Sequence, residues 1–502
     1  MTAAMAIPLL LIIPLAASVL TLLARSRRLM EIIHLLSAVG SFACAVLLCA
    51  EVLAKGQSSY WNGQLAADHL SALVALLTSF VYLACAPYSI GYLREIERNQ
   101  FFESEEGGGK GLVKLRKYYT LTPLLAFSMF LVALASNLGV MWVALEGTTL
   151  ASIFLVTFYG RPTSLEAAWK YAMIGGVGLS MALFGTILTY YAAHQSLGAE
   201  SLNALNWPLL AASAAGFDHT VMRLAFILVL LGYGTKAGLA PMHTWKPDAY
   251  SEAPTPVAAL MAAAILNCSL YALTRFYVLT VRCVGPSFPS QLLMLFGLLS
   301  IGIAVPFILV QRNCRRLLAY SSIDHGGIMV LALGFGGALG PLGMLLHMTF
   351  HSVVKPLLFF CVGNAQQQTG NDSLKKTAGG LLHSLPISGP VLLVAALAVT
   401  GTPPFSLFQS EFMILRAGFA ANHIGWTMLF VTLLVAIFAG FFHHIANLVL
   451  GPADGPPRQE TCRWKTYPVI GLSAVVLVLG FWLPAPLYSL VQGAAQILAA
   501  HP

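Results

Sequence analysis

The chain has 502 residues, of which 58% are hydrophobic and only 9% charged. A soluble globular protein carries roughly 25% charged residues, so this chain cannot cover itself with a solvated surface, and a soluble enzyme, a disordered scaffold and a nucleic-acid binder are excluded. The formal net charge of +8 points to cytoplasmic loops of a membrane protein.

Apolar runs long enough to cross a bilayer, about 20 residues each, fall near 4–24, 29–53, 68–93, 119–136, 138–159, 167–193, 221–245, 254–281, 289–311, 315–335, 340–363, 386–419, 424–449 and 467–491. They predict an all-α polytopic membrane protein with about 14 transmembrane helices. No segment has the period-two alternation of a barrel strand. The first run follows Met1 directly and reads as a transmembrane helix, not a removed signal. The eight cysteines form no CxxC pair and sit mostly inside apolar runs, as small buried hydrophobes do. Clustered thiolates for zinc or iron–sulfur are missing, and no catalytic residue, cofactor site or metal site is expected in this chain.

Cationic side chains alternate between connections. Arg25, Arg27 and Arg28 follow the first span, and Arg94, Arg98, Lys110, Lys114, Arg116 and Lys117 follow the third. Arg161, Lys246, Arg312 with Arg315 and Arg316, Lys375 with Lys376, and Arg458 with Arg463 and Lys465 continue the pattern. The intervening connections hold little beyond Lys55, Arg223 and Arg282. The positive-inside rule then puts both termini on the outer side.

Two spans are irregular. The seventh runs into "GTKAGLAPMHTWKPDAYSEAPTP", and the twelfth contains "VTGTPPFSLFQSEFMIL", too long for one straight crossing. Gly and Pro at membrane depth free backbone carbonyls, which are tolerated only where protein or a water cavity satisfies them. The spacing of the interruptions fits a five-helix unit at 119–281 repeated at 289–449, with three helices in 1–118 before it and a last helix at 467–491. The odd offset between broken helices 7 and 12 makes the two units inverted in the membrane. Ordinary proline kinks are the competing explanation.

An ionisable group at mid-bilayer costs at least about 2.5–3.5 kcal/mol, so each one needs a reason. Glu146 lies near the middle of the fifth span. Its expected partner is Lys236, beside the break of the seventh and roughly 15 Å from the cytoplasmic end at 1.5 Å per residue. Burial and a neighbouring carboxylate act on a lysine in opposite senses, so a lysine whose partner can change takes up and releases a proton. His347, His351 and Lys355 sit at i, i+4 and i+8 on one helix face. That suits a relay, because imidazole titrates near neutral pH. HxxxH could also hold a metal, but no third ligand shares the face, which favours proton transfer.

Asp324 and His325 lie midway along the tenth span, and Glu411 lies beyond the break of the twelfth. Lys170 is close enough to the end of its span to snorkel. His243, with Asp248 and Glu252, forms either a cytoplasmic entry or a solvated turn, and His443–His444 either an exit or a packing contact. Glu146, Lys236, Asp324, His351, Lys355 and Glu411 fall near one depth. Such a line runs parallel to the membrane, as a lateral proton wire with half-channels at its ends would.

The stretches "NLGVMWVALEGTTLASIFLV", "RPTSLEAAWKY", "GTKAGLAPMHTWKPDAYSEAPTPVAALMAAAILNCSLYAL", "VQRNCRRLLAYSSIDHGGI" and "PPFSLFQSEFM" resemble the antiporter-like subunits of respiratory complex I, membrane-bound hydrogenases and multisubunit sodium/proton antiporters. Within that family the chain is most similar to the hydrogenase-4 component F group. The resemblance implies that Glu146 is the fifth-helix glutamate, Lys236 the seventh-helix lysine, His347, His351 and Lys355 the eleventh-helix polar line, and Glu411 the charged end of the wire. It also implies a departure: several relatives carry Lys or His where this chain has Asn267, which cannot titrate. The expected function is therefore a proton-translocating subunit, without a cofactor of its own, of an energy-converting oxidoreductase. Its partners would be other membrane subunits and peripheral subunits such as those of a nickel–iron hydrogenase or formate-hydrogenlyase complex. The alternative is the membrane subunit of a cation/proton antiporter or of a proton-driven bicarbonate-uptake complex. A purely structural anchor is disfavoured by the cost of its buried charges.

Overall fold

The computed structural model describes residues 5–98, 109–197, 204–370, 374, 380–452 and 460–499. In chain order the helices are α1 (Ala6–Leu23), α2 (Arg27–Lys55), α3 (His69–Arg98), α4 (Gly109–Leu134), α5 (Leu138–Val156), α6 (Pro162–Leu197), α7 (Trp207–Ser213), α8 (His219–Ala237), α9 (Trp245–Glu252) and α10 (Thr255–Leu260). They continue with α11 (Leu266–Val284), α12 (Ser287–Leu309), α13 (Cys314–Phe335), α14 (Leu339–Thr369), α15 (Leu381–Ser384), α16 (Ser388–Val399), α17 (Ser406–Ala420), α18 (Ile424–Leu450), α19 (Arg463–Phe481) and α20 (Ala485–Ala499). A three-residue antiparallel hairpin, β1 (Ser58–Tyr60) with β2 (Leu65–Ala67), closes the connection between α2 and α3. Among the described residues 13 helices are long and apolar enough to cross a membrane, and the broken pair α16/α17 completes a further crossing. The chain is an all-α multi-pass membrane protein.

Short polar side chains set the helix starts. Asn137 accepts from the amides of Gly139 and Val140 before α5, Asp218 from Val221 before α8, and Asn313 from Arg316 before α13. Each satisfies amides that a helix N-terminus leaves unpaired. The two interrupted crossings are built alike. α8 ends at Gly238 (φ 78°), and the Leu239 amide reaches back to the Gly234 carbonyl at 2.8 Å. α16 ends at Val399, Gly401 (φ 64°) follows, and the Thr402 amide reaches the Leu397 carbonyl at 3.1 Å. Both are glycine-terminated stops of the kind that ends many helices, here placed within the protein.

Burial divides the crossings sharply. The most apolar 18-residue stretches of Thr255–Val284, α13 and α14 are wholly inside the protein, against 28% for α18. The central helices therefore meet protein rather than lipid, and charged side chains can sit on them. α6 and α8 approach closely because a Cβ on Gly232 would fall 2.5 Å from the Ala182 nitrogen and 2.6 Å from the Gly178 carbonyl oxygen. Small residues at such a crossing let the backbones meet.

Several expectations shift. The last span ends at Phe481, not near residue 491, because Pro484 cannot continue a helix and biases the residue before it to extended backbone. α20 follows and packs against α3 and α14. Lys246, expected among the solvated cations of a loop, is 1% exposed. The reason is that the seventh crossing continues past its break as α9, which folds back onto α6 and α13. Of the cations used for orientation, the side chain of Lys110 and the residues Lys375, Lys376 and Arg458 lie outside the described residues.

Candidate functional site

Lys236 stands one residue before the end of α8, at the break. It is 2% exposed. Its Nζ donates to Thr149 Oγ1 at 2.7 Å and Tyr171 OH at 2.8 Å, and it lies 5.1 Å from the centroid of the Tyr171 ring. Tyr171 in turn shares a hydrogen bond of 2.9 Å with Ser152 and stacks on Trp245 at 4.4 Å. The Trp245 indole donates to the Thr235 carbonyl across the break, so the aromatic pair holds the two halves of the crossing together.

The expected Lys236–Glu146 ion pair is not made. Glu146 lies one turn before Thr149 on α5, and its Oε2 is buried without a hydrogen-bond partner. The lysine is satisfied by two hydroxyls instead. Glu146 remains within electrostatic reach of Lys236 without being bonded to it.

Lys246 was not among the sequence candidates. Its Nζ donates to the Ala237 carbonyl at 2.7 Å, at the negative end of α8, and approaches the Ser322 carbonyl of α13 at 3.3 Å. A cation at a helix C-terminus is favoured by the helix dipole. One turn earlier on the same face of α13, Lys355 Nζ donates to Ser321 Oγ at 2.9 Å and the Leu318 carbonyl at 3.2 Å. Lys246 and Lys355 thus engage α13 carbonyls one turn apart, and Lys246 reaches from there to the Ala237 carbonyl beside Lys236. Asn267, the non-titrating residue at the junction, donates to Ser352 Oγ of α14 at 2.7 Å.

Beyond Lys355 the line continues through histidines. His325 Nδ1 and His347 Nε2 are 2.9 Å apart, and His347 Nδ1 is 3.0 Å from Ser410 Oγ on α17. His351 lies 5.1 Å from the His325 ring, centroid to centroid, with both nitrogens unpartnered. Asp324 Oδ1 is likewise buried and unpartnered. Glu411 follows Ser410, is 7% exposed and lies against Gly401, where any Cβ would collide with its carboxylate.

His325, His347 and Glu411 place one ligand atom each within 4.8 Å of one another. Only His347 of the HxxxH pair belongs to this group, and its other two members come from α13 and α17, which no spacing along one helix relates. In this structure the two facing imidazole nitrogens are committed to each other.

Four candidate residues stand apart from the line. Lys170 is a surface residue, paired with Glu166 at 2.7 Å and Asp248 at 3.0 Å, and Asp248 also holds Arg316 at 2.9 Å. His243 is buried against Phe307 and Tyr320, with Nδ1 unpartnered. His444 contacts the carbonyls of Ile308 and Leu309 and His443 contacts Asn447, as packing contacts do.

Residues 135–438 match the family described as NADH:quinone oxidoreductase/Mrp antiporter, TM. The chain is 35% identical over 434 residues to the hydrogenase-4 component F homolog of Methylacidiphilum infernorum, covering 86% of this chain and 88% of that one. It is 31% identical over 485 residues to NADH-quinone oxidoreductase subunit N of Desulforudis audaxviator, covering 91% of both. Among solved structures it is similar to a chain of the archaeal membrane-bound sulfane sulfur reductase (TM-score 0.85, 24% identity, 99% of this chain and 97% of that chain). It is also similar to a chain of respiratory complex I from Thermus thermophilus (TM-score 0.74, 25% identity, 95% and 97%). The chain belongs to this family of antiporter-like membrane subunits, as its motifs suggested.

Proposed function

We propose that this chain translocates protons as a subunit of an energy-converting oxidoreductase of the hydrogenase-4 or formate-hydrogenlyase type. The observation that carries the reading is the buried line itself. Lys236, Lys246, Lys355, His325 and His347 are held inside the bundle by hydroxyls, carbonyls and one another, and Asp324, His351 and Glu411 are buried among them. A bundle needing only to span the bilayer has no use for groups that cost about 2.5–3.5 kcal/mol each. The hydrogenase-4 component F relative supports the particular complex. The charge alternation supports a cell inner membrane location with both termini periplasmic, and the like-built stops at Gly238 and Gly401 support inverted units at 119–281 and 289–449.

In this reading a proton enters the Lys236 cluster when Glu146 changes its distance, passes to Lys246 and Lys355, and leaves through His325, His347 and Glu411. Electron transfer belongs to partner subunits. The test is to purify the intact complex through a tag on this chain, identify the co-purifying subunits, and compare native and Lys236→Met complexes for proton movement in liposomes. Lys236→Met should assemble and move no protons. Normal movement per assembled complex would sink the reading, and co-purification with antiporter subunits alone would favour a cation/proton antiporter.

A further inference from the structure

The first three helices carry polar groups that the lateral line does not use. Glu31, His34, Ser37 and Ser41 lie along one buried face of α2, exposed by 4% or less. At its mouth Glu31 is gripped by Arg27 at 2.8 Å and Arg94 at 2.5 Å. One turn deeper, His34 sits among Tyr82 of α3 and Tyr118 and Tyr119 of α4, with ring centroids 5.3–6.4 Å away. Tyr82 donates its hydroxyl hydrogen to Ser37 at 3.3 Å, so its oxygen accepts from His34 Nδ1 at 3.4 Å. That leaves His34 Nε2 as the free lone pair.

His34 Nε2, Ser41 Oγ and Tyr119 OH are buried without a protein partner, and Thr78 Oγ1 has none beyond the weakly accepting Cys268 thiol. They are not scattered. α2 and α3 are successive crossings and therefore antiparallel, and Ser37 meets Tyr82. Four residues on from Ser37 and four back from Tyr82, Ser41 and Thr78 reach the same depth, at the midpoint of α2. Thr78 adjoins the Cys268 thiol of α11, and α11 packs against both α3 and α8, the helix that carries Lys236. In a bilayer an unsatisfied polar group costs several kcal/mol, and water that makes two to four hydrogen bonds is the usual remedy.

We propose that this column is a water-carrying proton inlet from the Arg27–Arg94 face to Lys236, with His34 as its titratable relay. The proposal rests on the proton-translocation reading. A proton arriving on water binds His34 Nε2, and the Nδ1 proton leaves toward Tyr82 and Ser37. Ring and hydroxyls then return to their starting arrangement, so one proton enters and one leaves. The charged and titratable groups facing His34 are Glu31 and Arg27 from its own helix, Arg94 and Tyr82 from α3, and Tyr118 and Tyr119 from α4.

The test uses the intact complex in liposomes with lumenal pyranine, driven by a potassium diffusion potential imposed with valinomycin. His34→Phe and the near-isosteric Thr78→Val should each lower proton flux per complex by roughly tenfold or more, less than the ~10²–10⁴ of a fully lost acid–base group because water can bypass one link. Thr78→Val keeps the side-chain shape and so tests the column even where His34→Phe fails to assemble. Lys236→Met should abolish flux. If Lys236→Met is silent while Thr78→Val conducts normally, the inlet is refuted and the wire stands. If Lys236→Met conducts normally, or the native complex carries no flux, both fail.

Discussion

Lys246 offers the sharpest test of whether the two halves communicate. Lys246→Met keeps the length of the side chain and removes its charge. The ammonium now bridges Ala237 O and Ser322 O, and without it the junction retains only the non-titrating Asn267–Ser352 contact. A proton would then cross on neutral groups, at a cost comparable to placing an unsupported charge at mid-membrane, about 2.5–3.5 kcal/mol. At 1.36 kcal/mol per factor of ten, that slows coupled transfer by roughly two orders of magnitude. Stability should change far less: the lost bonds to carbonyls are offset by the desolvation cost of the ammonium, since replacing buried charge with apolar volume is often neutral. The assay is proton movement in liposomes, scaled to complex abundance measured by a tag on the chain. Native movement per complex in Lys246→Met would show that Lys246 is a helix-end plug and that the halves work independently.

Further outcomes follow from single contacts. Tyr171→Phe deletes one of the two acceptors on Lys236; we expect proton transfer per complex to fall by about tenfold, with assembly retained, from the loss of a charge-assisted hydrogen bond of about 1.5–3 kcal/mol. Gly401→Ala places a Cβ on the Glu411 carboxylate at a positive φ, and should impair transfer more than the same substitution at the open Gly176; equal activity of the two would contradict the geometry. Asp68 lies outside the spans; burial pushes its carboxyl up, but the charge and two hydrogen bonds of Arg275, at 2.7 and 2.8 Å, outweigh this and hold it below the usual carboxylate range. Its stabilisation is therefore complete above an ordinary carboxylate pKa of about 3.9 and is lost as pH falls through the lower folded value. Asp68→Asn should lower the melting temperature of the complex at neutral pH, because it leaves Arg275 buried and uncompensated, a loss of up to about 3–5 kcal/mol. The difference from native should shrink on acidification below about pH 4, as followed by intrinsic fluorescence.

Much of the molecule is legible in the chain itself. The crossings follow from apolar length, because every backbone group in lipid must be satisfied within a helix. The breaks at Gly238 and Gly401 follow from Gly and Pro, and the depth of Lys236, Lys355 and Glu411 follows from counting residues. Partnership does not. Glu146 and Lys236 suit each other in charge, yet the lysine is taken by Thr149 of α5 and Tyr171 of α6, the latter because α6 and α8 meet closely at Gly178 and Gly232. Lys246 looks like a loop cation until the seventh crossing resumes beyond its break and carries it inside. His325 and Glu411 complete a cluster with His347 from three helices that no spacing relates. Local sequence sets which residues lie at a given depth on one helix, but contacts between helices depend on their rotation and approach, which only packing decides.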